Sequence, residues 1–259
     1  MRRPTIAFMI VATASLPRPP AIADDWALFL DVDGTLLEFA ERPDEVRLPP
    51  DLVNVLGALH ARLDGALALV SGRPLDVLDR LFAPLHLPAA GLHGLERRID
   101  GSKEEAPEPP PALGHLREDA GRVAERYPGA VVEDKGSTLA LHWRGNTAAH
   151  QDLMALANAA LPDLPGYRIQ SGDHVAELRP GGANKGSAIE QMMDRPPFAG
   201  RRPVFVGDDH TDEHGFEVVR DHDGLAVLVG NRQPSVAAHR LADPTDVISW
   251  LQAAIGSPA

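Results

Sequence analysis

Asp31 and Asp33 stand two residues apart at the end of an apolar run, in the stretch Ala27 to Leu37, ALFLDVDGTLL. Close carboxylates repel, so a proton or a cation must offset their charge. Mg²⁺ takes oxygen ligands and suits one or two carboxylates together with a substrate phosphate. One Asp can then attack phosphorus while the other moves a proton. Gly34 permits a turn that bulkier residues resist, and Thr35 offers a hydroxyl to an anion. The plainer reading is a strand-end turn, where Asp and Gly are common.

Two more apolar runs end in small polar clusters, Ser71-Gly72-Arg73 and Gly207-Asp208-Asp209. A parallel sheet brings such ends to one edge, where ligands of open α/β sheets bind. Asp31 and Asp208 can share a cation there, with a main-chain carbonyl near Asp33 completing the protein ligands. Ser71 can donate to a phosphate oxygen. Lys185 opens a helix after Gly181-Gly182-Ala183-Asn184; a helix start already favours an anion, and an ammonium adds a full charge. Arg73 and His93 join the candidate substrate contacts, His93 because Gly-Leu-His-Gly ends a short strand at the same edge. Each residue has an ordinary alternative: Ser71 as a turn residue, Lys185 as a solvated lysine, His93 as a structural histidine, Asp208 and Asp209 as helix caps. GGANKGS lacks the order of a P-loop, and His210-Thr-Asp-Glu-His214 is not the HExxH zinc motif.

These residues need rigid elements to position them. Unalternated apolar runs at Ala27–Leu30, Ala66–Val70, Pro203–Val206 and Gly224–Val229 suit strands buried on both faces. A short strand is expected at Ala89–Leu92. Helical spacing covers Asp51–Leu63, with Pro50 in the first turn, then Leu75–Phe82, Asn184–Met193, Thr211–Arg220 and Thr245–Ile255. Strand and helix alternate, which predicts an α/β fold: a doubly wound, Rossmann-like parallel sheet. The pattern changes between a Pro-rich stretch, Glu104–Ala112, and Pro180-Gly181-Gly182. There the order is helix 115–126, a hairpin (130–133 and 137–144), helix 148–161, and a second hairpin (167–170 and 174–179) turning at Ser171-Gly172-Asp173. This reads as an inserted α+β domain. The expected division is a tail at 1–25, a core at 26–106 and 180–259, and an insertion at 107–179.

The 259 residues are 44% hydrophobic, ample for a core, and carry a formal charge of −12. So acidic a chain argues against nucleic acid or an anionic membrane as partner. Any anionic substrate must meet local cations. With no cysteine, disulfides and thiolate metal sites are excluded. Arg2 and Arg3 precede an apolar stretch, Ile6 to Val11, and Ala21-Ile22-Ala23 before Asp24 imitates a signal cleavage site. The proline cluster at 17–20 and a possible start at Met9 oppose that reading.

DVDGT, SGR, a lone lysine and GDD, in that order, resemble the haloacid dehalogenase-like phosphatase superfamily. From Trp26 onward the chain more closely resembles trehalose-6-phosphate phosphatases, through DVDGTL, DGALALVSGR, AGLHGLERR, YPGA, EDKGSTLALHWR, GGANKG, PVFVGDDHTDE and DVISWL. The resemblance implies that Asp31 is the nucleophile and that Asp33 protonates the leaving sugar oxygen, then activates water. It implies Mg²⁺ on Asp31, Asp208 and the Asp33 carbonyl, with Asp209 and Asp212 supporting the metal shell. Ser71 and Lys185 would hold the phosphoryl oxygens.

The insertion would be a cap domain that selects the sugar. Glu133 with Lys135, His142 with Arg144, and Glu177 with Arg179 each share a strand face. Glu133, Lys135, Arg144 and Glu177 are the expected contacts to sugar hydroxyls; an exposed charged sheet face is the alternative. The expected substrate is trehalose 6-phosphate. Another sugar phosphate, such as that of sucrose, or a non-catalytic phospho-Asp module remain open alternatives. A monomer in the cytoplasm is expected, with a periplasmic location the alternative that the N-terminal stretch allows.

Overall fold

The computed structural model describes residues 16–38 and 48–256. The apolar stretch 6–11, the start at Met9 and most of the loop 38–50 lie outside them.

The first half of the core runs β1 (Trp26–Leu30), α1 (Leu52–Arg62), β2 (Leu67–Val70), α2 (Leu75–Leu81) and β3 (Ala89–Gly91), then a hairpin of β4 (Glu96–Ile99) and β5 (Ser102–Glu104). The inserted unit follows: α3 (Pro111–Ala124), β6 (Val131–Asp134), β7 (Leu139–His142), α4 (His150–Ala160), β8 (Tyr167–Gly172) and β9 (Val175–Pro180). The core resumes with α5 (Lys185–Met193), β10 (Arg202–Gly207), α6 (Glu213–Asp221), β11 (Leu225–Val229), β12 (His239–Leu241) and α7 (Pro244–Ile255).

The core sheet has eight strands in the order β12-β11-β10-β1-β2-β3-β4-β5. All pairs from β12 to β3 are parallel, and the last two are antiparallel. β1 lies at the centre and every one of its residues is buried, as its unalternated sequence requires. Successive side chains point to opposite faces. Phe29 stacks on Phe198 beyond α5, and its neighbour in register, Phe205, packs on Phe216 of α6. Trp26 points the other way, to Trp250 of α7, which packs with α1. The sheet is thus covered on both faces.

The second sheet is antiparallel throughout, in the order β6-β7-β9-β8. Leu139, Leu141, Ala176 and Leu178 join a core with Leu116, Ala120 and Leu153 of α3 and α4. Ala140 and Glu177 alternate with these and face away from it.

Several expectations are revised. β4, β5 and β12 were not foreseen: each has three or four residues, mostly polar, at a sheet edge or, for β4, next to one. The core sheet is therefore mixed, with a parallel majority. α3 begins at Pro111, not His115, because proline suits the first helical position. Pro50 precedes the left-handed Asp51 cap of α1 and is not in the first turn. The β8–β9 turn centres on Asp173-His174, since Gly172 still pairs with Val175.

Residues 17–22, ahead of β1, pack on the core. The Pro17 carbonyl accepts the Arg240 amide at 2.9 Å, extending past β12. The Pro20 carbonyl accepts the Trp250 indole at 2.9 Å, and Ile22 is buried in the main cluster. Ile22 thus lies inside the sequence that imitates a cleavage site. Among the described residues no helix is long and apolar enough to cross a membrane. Ile22→Ala is expected to cost about 2–4 kcal/mol in urea unfolding; an unchanged midpoint would mean that this segment is only loosely held.

Candidate active site

Asp31 follows β1 directly, and its amide donates to the Val206 carbonyl at 2.9 Å. That register sets it beside Gly207 and Asp208. The next residues wind tightly: Leu36 and Leu37 both donate to the Val32 carbonyl, and Gly34 donates to that of Leu37. Gly34 has φ +82°, and a Cβ there would fall inside the Asp208 carboxylate. The turn therefore needs glycine twice over, for its backbone and for its space. Thr35 is fully buried, with its Oγ1 3.4 Å from Asp31 Oδ2 and 3.2 Å from Asp208 Oδ1. One hydroxyl proton serves one carboxylate at a time.

Lys185 comes from α5, whose start is fixed by reciprocal bonds between Asn184 and Ser187. Its buried Nζ lies 2.6 Å from Asp31 Oδ1 and 2.6 Å from Asp212 Oδ1. The other Asp212 oxygen accepts the amides of Asp208 and Asp209, at 3.0 and 2.9 Å. Asp212 thus sets the Asp208–Asp209 loop and the lysine together. Asp209 itself is exposed, and its carboxylate is not in the group.

Asp31, Asp208 and Asp212 each offer an oxygen within 4.8 Å of the others. Burial, with Asp212 and Asp208 close by, pushes the Asp31 carboxyl well up against the pull of Lys185. Burial and Asp212 push Asp208 up to about 7. Burial opposes charge on Lys185, but Asp212 and Asp31 outweigh it and its pKa rises. Three carboxylates thus crowd one ammonium. An all-oxygen set with negative charge to spare fits a hard divalent cation.

β2 ends at Ser71, whose amide donates to Ala90 and whose Oγ accepts the Arg73 amide at 3.1 Å. The Ser71 hydroxyl proton is left to donate elsewhere. Arg73 grips Asp33 with two bonds of 2.7 Å each. This fork orients Asp33, which no sequence signal foretold.

The inserted sheet adds a second cluster. Glu133, Ala140, Glu177 and Gln170 form one row across β6, β7, β9 and β8. Lys135 Nζ sits 3.7 Å from Glu133, 3.8 Å from Glu177 and 3.4 Å from the Gly72 carbonyl of the core. Glu177 is buried, takes the Thr138 hydroxyl at 2.7 Å and meets His93 Nε2 at 3.3 Å. Burial disfavours its charge, but Lys135 and these donors outweigh it and hold the carboxyl far below the usual range. Burial also lowers the pKa of His93 despite Glu177. Its Nε2 faces Glu177, and its buried Nδ1 has no hydrogen-bond partner. Glu133 takes the His142 ring at 2.9 Å; burial raises its pKa, and His142 with Lys135 brings it below the usual value.

The structure thus gathers Asp31, Asp33, Ser71, Arg73, Lys185, Asp208 and Asp212 at one edge, with His93, Glu133, Lys135 and Glu177 adjoining. Arg144 is not brought there. It is exposed beyond the end of β7 and bonds Asp173 at 2.8 Å. Arg232 was missed: it donates to the Asp208 and Asp209 carbonyls at 3.0 and 3.2 Å.

Comparison with known proteins agrees with this geometry. The trehalose-phosphatase family model matches residues 29–245. The chain belongs to the trehalose-phosphatase family. It is 44% identical over 217 residues to a probable trehalose-phosphate phosphatase of Sinorhizobium fredii, covering 83% of this chain and 82% of that one. It is 41% identical over 242 residues to the trehalose-6-phosphate phosphatase of Escherichia coli, covering 93% and 90%. A crystal structure of a trehalose-6-phosphate phosphatase related protein superposes with a TM-score of 0.73, at 26% identity over 88% of this chain and 96% of that one.

Two outcomes are expected from this geometry. Gly34→Ala should lower phosphatase turnover about 100-fold, the scale of a 1 Å misplacement, as steady-state phosphate release would reveal. Glu177 is depressed in the fold, so its contribution to stability is full above the unfolded value near 4.3 and is lost as pH falls below it. Glu177→Gln should therefore narrow the gap between urea midpoints at pH 7 and pH 3.5. An equal gap in variant and wild type would deny Glu177 that role.

Proposed function

We propose that this chain hydrolyses trehalose 6-phosphate to trehalose and phosphate, with Mg²⁺ as cofactor. The observation that supports this most is the seating of Lys135 on the Gly72 carbonyl. It sets the polar row of the inserted sheet over the phosphoryl-handling edge of the core.

Asp31 is the nucleophile. Its oxygen forms a bond to phosphorus as the bond from phosphorus to the sugar oxygen breaks, giving an aspartyl-phosphate. Asp33 gives its proton to that oxygen, because a sugar alkoxide is a poor leaving group. In the second step Asp33 takes a proton from water, the water oxygen attacks phosphorus, and phosphate leaves Asp31. Arg73 orients Asp33 for both transfers. Ser71 and Lys185 hold the phosphoryl oxygens in line, since such transfer depends on positioning and charge neutralisation. Mg²⁺, held by Asp31 and Asp208 with the Asp33 carbonyl, and with Asp212 in support, supplies a Lewis acid for the phosphoryl oxygens.

The insertion, residues 107–179, acts as the cap. A disaccharide presents hydroxyls and no charge beyond its phosphate. Glu133, Lys135 and Glu177 bind such hydroxyls by charge-assisted bonds. The segments at 107–111 and 180–182 are the hinges, and closure excludes water. An intracellular sugar phosphate as substrate favours residence in the cytoplasm.

The test is phosphate release with Mg²⁺ from trehalose 6-phosphate beside sucrose, glucose and mannose phosphates. A strong preference for the trehalose ester is expected. Asp31→Asn should abolish turnover, and Asp33→Asn should lower it at least about 100-fold. Preference for another ester would overturn the sugar assignment, and full activity of Asp31→Asn would overturn the mechanism.

A further inference from the structure

Arg179 is one of the most deeply buried charged residues of the chain, at 1% exposure. It lies on β9 just before the return to the core. Its Nη2 donates to the Ala183 carbonyl at 3.0 Å and to the Leu92 carbonyl at 3.4 Å. Its Nη1 donates to Gln170 Oε1 at 3.2 Å, and Nε has no partner. All three acceptors are neutral oxygens. A guanidinium presents its donors in a fixed planar fork, so it holds its acceptors at a set spacing.

The two carbonyls belong to segments that carry site residues. Ala183 stands two residues before Lys185, ahead of the Asn184 cap. Leu92 precedes His93, and both have left-handed backbones, with φ of 49° and 54°. Residues other than glycine hold that conformation only when their surroundings impose it. Here the His93 amide bonds the Ser71 carbonyl at 2.8 Å and the Leu92 amide bonds that of Arg73 at 3.1 Å. The next residue, Gly94, packs so closely that a Cβ would lie 3.0 Å from the Asn184 carbonyl. The loop 92–94 is thus wedged between the Ser71–Arg73 turn and the start of α5, and Arg179 reaches from the inserted sheet to the loop itself at Leu92 and to Ala183 at the start of α5.

We infer that Arg179 is a positioning residue, which ties the seating of the inserted sheet on the core to the placement of His93 and Lys185. It touches no reacting atom. A shift of the sheet moves the fork, and the fork moves both carbonyls. The kinetic part of this inference rests on the proposed phosphatase activity; the structural part does not.

The experiment compares wild type with Arg179→Lys, which keeps the charge and loses the fork. Amide hydrogen exchange is read in segments 92–95 and 185–188, with α4 as reference. Faster exchange in both segments together, by about tenfold, with α4 unchanged, is the expected result. Turnover of trehalose 6-phosphate and of p-nitrophenyl phosphate should both fall about 10- to 100-fold, because Lys185 serves either ester. KM should rise for the sugar ester alone, because His93 serves only that one.

A lower melting temperature with unchanged kcat per folded molecule, or exchange that rises equally everywhere, would overturn the inference and leave Arg179 a structural residue. Should Arg179→Lys fail to fold, Gln170→Leu removes one acceptor of the fork at a half-buried position. It should quicken exchange in the same two segments to a smaller degree, and no change there would overturn the inference. A wild type inactive on both esters would remove the proposed function, while the exchange result would still decide the role of Arg179.

Discussion

The rest of the molecule depends on one excess of buried negative charge. Asp31, Asp208 and Asp212 converge where β1 and β10 end, and Lys185 is the ammonium among them. With all four ionised, the group is two charges short of neutral. Proximity of like charges and loss of solvent both favour protons on the carboxylates, which is why Asp31 and Asp208 are pushed up. A divalent cation would supply the missing charge without those protons. The fold enforces the crowding: a central parallel register sets the strand ends side by side, and Gly34 leaves the space that Asp208 fills.

The cluster on the inserted sheet is closer to balance. Lys135 lies between Glu133 and Glu177. The three carry one net negative charge against two in the core group, so the core is the stronger attractor of a cation. What it offers is directed donors and acceptors around the small side chain of Ala140. Such a surface suits a neutral polyhydroxylated group. On the proposed reading, the phosphoryl and sugar halves of the substrate would meet two environments of different electrostatics. Arg73 stands at the border, where its fork ties Asp33 to the Ser71 turn.

Residues that announce themselves are those whose role is set by their immediate neighbours in the chain. Asp31, Ser71 and Asp208 each close a buried run, so the sheet edge was legible before any coordinates. Alternation within strands singled out Glu133, Lys135 and Glu177, while the row that joins Glu133 to Glu177 is set by the register between strands. Arg144 was misread because alternation was carried past the end of β7. The strand stops at His142, and the Trp143 amide turns to the His174 carbonyl at 3.0 Å. β4, β5 and β12 were silent because a short strand at or beside a sheet edge needs only a few paired backbone groups and no apolar face. Arg73, Arg179 and Arg232 were illegible in their main roles for a common reason. Each acts on oxygens brought near by the fold, and no local pattern records which oxygens those are.

Those three arginines also divide the labour of holding the site. Arg232 grips the Asp208 and Asp209 carbonyls from the β11–β12 connection, where it also pairs with Glu213. Arg73 fixes the side chain of Asp33 from the β2 end. Arg179 reaches from the second sheet to the carbonyls beside His93 and Lys185. In two of the three, the atoms held are backbone carbonyls, which have no freedom of their own once the peptide is fixed. The carboxylates are thus held both directly, by Lys185, Thr35 and Arg73, and through the anchored backbones of their loops. That double hold keeps the centre rigid. It also explains how so charged a centre persists at the end of central strands that are almost wholly apolar.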